Sequence, residues 1–435
     1  MTHQLLSQQR KQKGIPELLA PAGGMEQLFY ALHFGADAVY LACDKLGLRQ
    51  RASNFSLEEL PKAVALAHSY DARVHVTLNA YAHDEDLEAL PAYVSAIADA
   101  GVDAVIVSDL GVLSVVRSVA PDLEIHVSTQ ASVSNSAAAR MWYELGARRV
   151  VCAREMSLEE IAQIKREIPH DMEVEVFVHG AMCMAISGRC LISDFMADRH
   201  ANQGHCVQPC RWEYHLTEPS RPGELFPIEE DTHGTHIMNS KDLNMLDHID
   251  DLVAAGVDSI KIEGRVKKAF YVATVVNAYR QVLDGADPHQ WQPELDTISH
   301  RPYHTGFFYG PASQSFEEDV YVQRCDWVAE VREDACSDTD VSDAGQTSVL
   351  VRCRNRFYEG DTLEVLSPHV PVKSVIVTNL AEVFEGFDDA GNPIVTKIPC
   401  NTASKAMGLY SFDVPFDLHE HDMLRVRRKD ISKKN

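Results

Sequence analysis

The sequence contains no uncharged apolar run of about 18 residues, the minimum that a membrane-spanning helix needs. Its first residues, MTHQLLSQQRKQKG, lack the apolar segment of a secretory signal, so we expect a cytoplasmic protein with no membrane partner. Positive charge is also scarce, because 40 Lys and Arg residues stand against 64 Asp and Glu residues, a net charge of −24. This balance disfavours loose binding to nucleic acid, so any contact with RNA must be local.

Several motifs that would identify an enzyme class are missing. No G-x-G-x-x-G follows the first predicted strand, which argues against an open dinucleotide-binding sheet. Neither H-E-x-x-H nor G-x-S-x-G occurs, so the sequence gives little support to a zinc protease or a serine hydrolase.

Cysteines, by contrast, are concentrated in one place. Four of the ten lie in the stretch EVFVHGAMCMAISGRCLISDFMADRHANQGHCVQPCRWEY, where Cys183, Cys190, Cys206 and Cys210 have the spacing C-x6-C-x15-C-x3-C. Without a secretory signal, such a group is more typical of ligands for a soft metal than of disulfides. Structural zinc sites usually contain two short cysteine pairs, and only Cys206 and Cys210 form one. The irregular spacing therefore favours an iron–sulfur cluster.

Eight short segments rich in β-branched residues alternate with helical patterns: LLAP, AVYLA, VHVTLN, AVIVSD, IHVSTQ, VVCARE, VEVFVHG and SIKIEG. We interpret them as mainly apolar runs without alternation, which indicates strands covered on both faces and a parallel sheet. Eight strand–helix units predict an α/β fold, a (β/α)8 TIM-like barrel with a cysteine-rich insertion after strand 7. The alternative is a doubly wound open sheet.

A degenerate repeat marks the expected junctions between helices and strands. GADAV at 35, GVDAV at 101, GARRV at 146 and GVDSI at 256 each follow a helical pattern, as expected for a glycine at a helix C-terminus. SLEEL and SLEEI, which begin at Ser56 and Ser157, are capping-box sequences and predict helix starts.

Composition divides the chain into three parts. We expect the barrel domain to cover residues 1–290 and to carry the cluster loop at 181–235. Residues 291–320, rich in Pro, His and aromatic residues, are predicted to be a linker. Short strand patterns and turns in residues 321–435 predict a small C-terminal antiparallel β-barrel domain.

Polar residues cluster where the predicted strands end, and in a barrel those ends form one mouth that carries the chemistry. The set comprises Asn79, Asp109, Gln130, Arg154, Glu155, His179, Lys261, Glu263 and Arg265. We predict catalytic roles for His179 and Glu263 and substrate-binding roles for Asn79, Gln130 and Arg265. Asp109 and Glu155 are equally well explained as helix caps, and the charged triplet Lys261, Glu263 and Arg265 is equally well explained as an internal salt-bridge network. Lys241, before the predicted helix LNMLDHIDDLVAAG, is a candidate anion contact near that helix N-terminus.

The cysteine block, E-x-F-x-H-G-A-M-C-x6-C-L-x-S continuing to N-Q-G-x-C-x3-C-R-W-E-Y, resembles the signature of the collagenase-like peptidase U32 family. ELLAPAG, GADAVYL, MNSKDL, KIEGR and TGFFYG extend the resemblance along the chain, which looks most like the tRNA-hydroxylation branch of the family. The resemblance implies one 4Fe-4S cluster on the four cysteines. It also implies 5-hydroxyuridine synthesis at the tRNA wobble position (U34), with prephenate as a required metabolite.

This resemblance shapes the expected partners. We expect tRNA to bind through local basic patches, including the tail RVRRKDISKKN, and through the C-terminal domain. Arg49, Lys241 and Arg265 are the cations chosen for the dicarboxylate metabolite. Phe195, Trp212 and Tyr214 are candidates to stack on the target base.

Three other functions stay open at this point. They are a metal-dependent peptidase, a hydroxylase of ribosomal RNA or of a quinone precursor, and a non-catalytic RNA-binding scaffold whose cysteines hold structural zinc.

Overall fold

The computed structural model describes residues 14–48, 54–182, 192–197, 199, 201–209, 212, 215–216, 226–227, 241–312, 322–332, 347–387 and 393–428. The chain forms two compact units. Unit 1 consists of Met1–Gln292 and His300–Val322, and unit 2 consists of Pro293–Ser299 and Gln323–Asn435.

The strands of unit 1 are β1 (Glu17–Pro21), β2 (Ala38–Leu41), β3 (Arg73–Leu78), β4 (Ala104–Val107), β5 (Glu124–Val127), β6 (Arg149–Val151), β7 (Glu173–Ala181), β8 (His215–Leu216), β9 (Phe226–Pro227), β10 (Asp242–Asn244), β11 (Ser259–Ile262) and β12 (Tyr303–His304). Strands β1 to β7 pair in sequence order, and β11 joins β7 to β1, so eight parallel strands close into a ring. Strand β10 lies antiparallel to β7 outside the ring and pairs with β12, while β8 and β9 form a separate pair. The predicted barrel is confirmed.

The helices are α1 (Met25–His33), α2 (Leu60–Ser69), α3 (Asp84–Asp99), α4 (Leu110–Val119), α5 (Ser136–Glu144), α6 (Leu158–Glu167), α7 (Ile192–Ala197), α8 (Ile249–Ala254), α9 (Ala269–Leu283) and α10 (Pro288–Leu295). Short 3-10 turns occupy Thr129–Ala131, Ala201–Gln203 and Leu246–His248. None of the helices in the described ranges is both long and apolar enough to cross a bilayer.

The glycine repeat is confirmed at all four junctions. Gly35, Gly101, Gly146 and Gly256 have φ angles of +99°, +81°, +99° and +79°, values that side chains disfavour. In three repeats an aspartate two positions later accepts a hydrogen bond from a backbone N–H of the preceding ring strand. These pairs are Asp37–Leu18, Asp103–Val74 and Asp258–Val174, at 2.9, 2.7 and 2.7 Å. The repeat therefore sets both the helix end and the start of the next strand pairing.

Both capping boxes also form. Ser157 is the N-cap of α6, where its hydroxyl accepts from the Glu160 N–H and the Glu160 carboxylate accepts from the Ser157 N–H. Ser56 and Glu59 make the same exchange just before α2. Asp109 caps α4 by accepting from two backbone N–H groups, as expected of a capping residue.

The interior of the barrel is charged, which contradicts the expectation of uniformly apolar strands. Strands β3, β5, β7 and β11 alternate, with apolar residues directed to the helices and polar residues to the barrel axis. The buried interior side chains include His75, His126, Arg149, Glu175 and Lys261. Barrel interiors are usually filled by branched apolar residues. Here the charges are tolerated because Arg149, Glu175 and Lys261 are each paired with an opposite charge inside the barrel.

Arg149 is the centre of this ion-pair network. Its guanidinium, 1% exposed, donates to Glu17 at 2.6 Å, to Glu173 at 2.6 Å and to Glu175 at 3.0 Å. Burial alone would lower the pKa of Arg149, but the surrounding carboxylates, Glu17 above all, raise it well above its ordinary value. Burial likewise acts to raise the pKa of Glu17, yet Arg149 holds that pKa well below the ordinary value. Arg149 and Glu17 therefore keep their charges at neutral pH.

Two histidines complete the interior beside this network. The rings of His75 and His126 meet edge to face, with centroids 4.7 Å apart, and the His126 ring is 2.7 Å from a Glu124 oxygen. Burial lowers the pKa of both histidines well below the ordinary value. They are therefore neutral at physiological pH.

Unit 2 is antiparallel, as expected. Its strands are β13 (Cys325–Val331), β14 (Thr347–Cys353), β15 (Phe357–Tyr358), β16 (Thr362–Leu366), β17 (Lys373–Ile376), β18 (Ala381–Phe387), β19 (Pro393–Pro399), β20 (Thr402–Ala403), β21 (Leu409–Val414) and β22 (Met423–Arg427). Eight of them form one sheet in the order β17-β16-β22-β13-β14-β21-β18-β19, and β15 pairs with β20. The sheet encloses its own apolar core, which includes Val351, Phe357 and Phe412.

Candidate functional site

A pocket opens at the carboxyl ends of the barrel strands. Its volume is about 490 Å3, including the space open to solvent. Four of the predicted site residues line it: Asn79, Gln130, Glu263 and Arg265. The remaining lining residues are Tyr40, Leu48, Thr77, Ser128, Thr129, Val151, Arg154, Phe177 and Lys261. The ends of the strands therefore meet at one site, as the barrel predicts.

Asn79 and Gln130 share one partner in the pocket wall. The Asn79 side-chain amide donates to the Ser128 hydroxyl at 2.9 Å, and that hydroxyl also accepts from the backbone N–H of Gln130 at 3.3 Å. Asn79 Oδ1 and Thr77 Oγ1 are buried without a hydrogen-bond partner among the described residues. Their polar atoms are therefore available to a bound molecule.

Arg154 is held rigidly beside the predicted catalytic Glu263. Its guanidinium donates to Glu263 Oε2 at 3.0 Å and to the Ala181 carbonyl at 3.2 Å. The same group lies 4.1 Å from the centre of the Phe177 ring. Its sequence position places Arg154 among the strand-end residues but does not mark it as a ligand-binding residue. Its fixed position makes it a stronger anion-binding candidate than a flexible surface arginine.

Lys261 lies deeper than Glu263, within β11. Its Nζ donates to Glu175 at 2.8 Å and lies 4.4 Å from the centre of the Tyr40 ring. The chain Arg149–Glu175–Lys261 thus connects the interior network to the pocket. Lys261 was recognised from sequence only as part of a charged triplet. The period-two pattern of Ser259, Lys261 and Glu263 is the signal that would have placed it inside the barrel.

Two glycines let the segment that carries Glu263 and Arg265 pack closely. A Cβ on Gly23 would lie 1.9 Å from the Arg265 carbonyl oxygen, and a Cβ on Gly180 would lie 2.6 Å from that of Glu263. Any side chain at these positions would displace the segment. The sequence gives them in ELLAPAG and VFVHG, without showing what they contact.

His179 does not line the pocket. Its ring is buried among Tyr271, Tyr279 and Tyr303, and Nδ1 is 3.5 Å from the Tyr279 hydroxyl. Burial is the main cause that lowers the pKa of His179 to about 3, so its imidazole is neutral. The catalytic role of His179 stays a prediction.

A register shift explains where His179 points. Phe177 pairs with Lys261, but the next residue of β11, Ile262, pairs with His179, so β7 has one extra residue. Such a bulge reverses the alternation of faces along a strand. Phe177 therefore faces the pocket, while His179 faces Tyr279 of α9.

Lys241 is half-buried and immediately precedes β10. The expectation that a helix begins right after it is wrong, because Asp242–Asn244 pair with β7 and the helix begins only at Ile249. Lys241 is therefore followed by a strand instead of a helix. Arg49 lies outside the described residues.

Among the predicted metal ligands, only Cys206 is described; Cys183, Cys190 and Cys210 lie outside the described residues. Cys206 is half-buried and forms no disulfide, and its Sγ accepts a hydrogen bond from the Gln208 N–H at 3.3 Å. Hydrogen bonds to sulfur of this kind tune cysteine ligands of iron–sulfur clusters. Cys206 thus fits a cluster ligand. Of the three aromatic candidates nearby, the side chain of Trp212 is described, and it is 45% exposed.

Most of the barrel, with the residues that line its pocket, lies in a part of the chain that matches a known protein family. The profile of peptidase family U32 matches residues 23–318. The chain is 41% identical over 368 residues to tRNA hydroxylation protein P1 of Bacillus subtilis (strain 168), with 82% of this chain and 84% of that protein covered.

Two proteins of Escherichia coli (strain K12) are also similar. The chain is 35% identical over 401 residues to tRNA hydroxylation protein P, with 81% of this chain and 86% of that protein covered. It is 38% identical over 268 residues to 23S rRNA 5-hydroxycytidine C2501 synthase, with 62% of this chain and 39% of that protein covered. These similarities confirm the resemblance noted in the cysteine block, and the chain belongs to peptidase family U32.

Proposed function

We propose that this chain is an iron–sulfur enzyme that hydroxylates C5 of the wobble uridine (U34) in tRNA, with prephenate as a required metabolite. Two relatives named as tRNA hydroxylation proteins, each matching more than four fifths of the chain, support tRNA as the substrate. The observation that carries the proposal is the pocket. It gathers Arg154, Lys261 and Arg265 at the barrel mouth, in a chain whose net charge is −24.

The pocket suits a small dicarboxylate. Arg154 is already positioned by Glu263 and Phe177, so binding an anion costs little side-chain entropy. Arg265 is 4% exposed, and its planar guanidinium can hold a carboxylate through two parallel hydrogen bonds. We assign Asn79 and Gln130 to the remaining polar groups of the metabolite.

Proton transfer in the pocket is assigned to Glu263. It is a carboxylate of the pocket wall, whereas His179 faces away from the pocket. We also assign His179 a role in supporting the strand end beside Tyr279, in addition to its predicted catalytic role. Lys241 and Arg49 remain proposed contacts for the metabolite or the RNA backbone.

Hydroxylation of a pyrimidine is an oxidation that side chains do not perform, so a bound cofactor must supply the redox chemistry. We propose that Cys183, Cys190, Cys206 and Cys210 hold one 4Fe-4S cluster for this purpose. The hydrogen bond to Cys206 Sγ supports the assignment. Single Cys→Ala variants, reconstituted without oxygen, should lose most of their iron and visible absorbance. Full iron content in three of the four variants would contradict the assignment.

Two arginines of the predicted basic tail, Arg425 and Arg428, form ion pairs, and residues 429–435 lie outside the described residues. The Arg425 guanidinium is buried against Glu294 and Glu364, at 2.7 and 2.8 Å, and Arg428 pairs with Asp326 at 2.7 Å. Arg425 is held within unit 2, because a buried charge requires its partner, whereas Arg428 is 46% exposed. We therefore propose that RNA contact relies on stacking, with the exposed Trp212 as the first candidate.

Nucleoside analysis of RNA from a deletion strain tests the function. The strain should lose 5-hydroxyuridine from tRNA, and the wild-type gene should restore it. Arg265→Lys should not restore it, because an ammonium keeps the charge but cannot form the paired hydrogen bonds. The matched control is Arg148→Lys at a half-exposed position outside the pocket, which should restore it fully.

Two outcomes would favour other functions. Loss of 5-hydroxycytidine from 23S ribosomal RNA, with tRNA unchanged, would favour the second candidate, which the similarity to the ribosomal RNA enzyme supports. Cleavage of denatured collagen by the purified protein, abolished by Glu263→Gln, would favour a peptidase.

A further inference from the structure

Lys261 is a buried amine inside a pocket that is open to small molecules. The residue is 4% exposed, and its Nζ lies between Glu175 at 2.8 Å and two aromatic rings. The ring centres of Tyr40 and Phe177 are 4.4 and 5.5 Å from Nζ. Burial lowers the pKa of Lys261, and Arg149 adds to this, although Glu175 opposes it. A neutral amine, the nucleophilic form, is therefore more accessible here than on the surface.

The groups around this amine fit a carbonyl compound that carries carboxylates. Arg154 and Arg265 supply guanidinium groups in the same pocket. Thr77 Oγ1 and Asn79 Oδ1 have no partner among the described residues. The Thr77 hydroxyl can donate to a carbonyl oxygen, and Asn79 Oδ1 can accept from the hydroxyl formed from that carbonyl. A structural ion pair between Lys261 and Glu175 would need none of these four groups.

We propose that Lys261 forms a reversible imine with the oxo group of a small 2-oxo acid, whose carboxylates lie against Arg154 and Arg265. The choice of a 2-oxo acid as the ligand rests on the proposed function, because prephenate is a 2-oxo acid. It does not depend on RNA or on the cluster.

The step balances without an oxidant. The Lys261 ammonium gives one proton to Glu175, and neutral Nζ attacks the carbonyl carbon, forming the C–N bond as the carbonyl π pair moves to oxygen. A nitrogen proton then moves to that oxygen. Glu175 returns its proton to the resulting hydroxyl, which leaves as water while the nitrogen lone pair forms C=N. The sum is an ammonium and a carbonyl giving a protonated imine and water, with the positive charge retained beside Glu175.

Reductive trapping tests the proposal. The full-length protein is incubated near neutral pH with 2-oxoglutarate, an available 2-oxo dicarboxylate, and cyanoborohydride, then digested and mapped by mass spectrometry. The peptide with Lys261 should gain the mass of the acid less one oxygen. Lys165 is the internal control, because it is also ion-paired, to Asp258 at 2.6 Å, but lies outside the pocket. With 2-hydroxyglutarate, which has no oxo group, no adduct should form.

Two variants separate the reaction from the fold. Lys261→Arg keeps the charge beside Glu175 and should lose the adduct. Thr77→Val removes one hydroxyl at similar volume and should reduce the adduct. Circular dichroism confirms that each variant is folded. Labelling of Lys261 no greater than that of Lys165, or unchanged after unfolding in urea, would overturn the proposal.

The outcomes also separate the imine from the proposed function. If the wild-type protein forms the adduct but deletion of its gene leaves tRNA hydroxylation unchanged, the imine stands and the proposed function is refuted. Full hydroxylation by Lys261→Arg, together with no adduct on wild-type protein, refutes the imine alone.

Discussion

Replacing Arg149 by Met tests whether the charged interior stabilises the barrel. The substitution keeps much of the side-chain volume but leaves Glu17, Glu173 and Glu175 without the cation that contacts all three. Removing one partner of a buried ion pair costs about 3–5 kcal/mol. Since about 1.4 kcal/mol corresponds to a tenfold change, opening of the barrel should become about two to four orders of magnitude more frequent.

The assay is hydrogen exchange, corrected for intrinsic rates and followed on peptides from β6 and β7. Its matched control is Arg148→Met, one residue away in sequence. Arg148 is half-exposed and contacts Asp171 at 3.6 Å, so its loss should change exchange little. Equal exchange in the Arg149→Met and Arg148→Met proteins would refute a stabilising network.

The stability that Arg149→Met loses relative to the wild type, the stability deficit, depends on pH with a definite sign. In the wild type, Arg149 outweighs the effect of burial and holds the pKa of Glu17 well below its ordinary value. This contribution to stability is present above the unfolded pKa of about 4.3 and is lost as pH falls through the folded value. In Arg149→Met, burial acts without that opposition and raises the pKa of Glu17, so protonation relieves the folded state. The deficit should therefore be largest at neutral pH and shrink on acidification, and a deficit that grows would contradict this reasoning.

Two further predictions follow from the site. Gly23→Ala places a Cβ 1.9 Å from the Arg265 carbonyl oxygen, so calorimetry should show weaker binding of prephenate by a folded protein. The control is Gly386→Ala, whose Cβ would lie 4.0 Å from its nearest neighbour and which should bind prephenate normally. Equal affinities of the two variants would exclude this role of Gly23. The pKa of about 3 at His179 means that its contribution to stability is full above pH 6.5 and is lost as pH falls from 6.5 towards 3. His179→Gln should flatten the fall of the thermal midpoint between pH 7 and 4, and an equally steep fall would contradict this assignment.

The fold was predictable because its signals are local. Gly35, Gly101, Gly146 and Gly256 mark helix ends through their backbone conformation, and Ser157 marks a helix start through its own hydrogen bonds. Neither signal depends on the rest of the chain. The charged interior was missed because each strand was judged by its overall apolar content, and alternation in VHVTL or EVEVF was overlooked.

The site was predictable only in part, for a related reason. Asn79 and Glu263 follow strand ends, and that position alone places them at the mouth. Tyr40 and Thr77 lie within strands, where only the alternation of side chains along the strand shows whether a side chain faces the pocket. His179 lies outside this pocket because a bulge reverses the alternation of side chains after Phe177, and no sequence pattern marks the extra residue.

The interior network and the pocket act as one system. Glu175 receives hydrogen bonds from Arg149 on one oxygen and from Lys261 on the other. Arg149 therefore neutralises part of the negative charge that would otherwise hold Lys261 as an ammonium, and its own charge further disfavours that form. An apolar residue in place of Arg149 would leave Lys261 paired with a carboxylate that has no second cation. The charge of Arg149 in the barrel interior thus acts to lower the pKa of the amine at the base of the pocket.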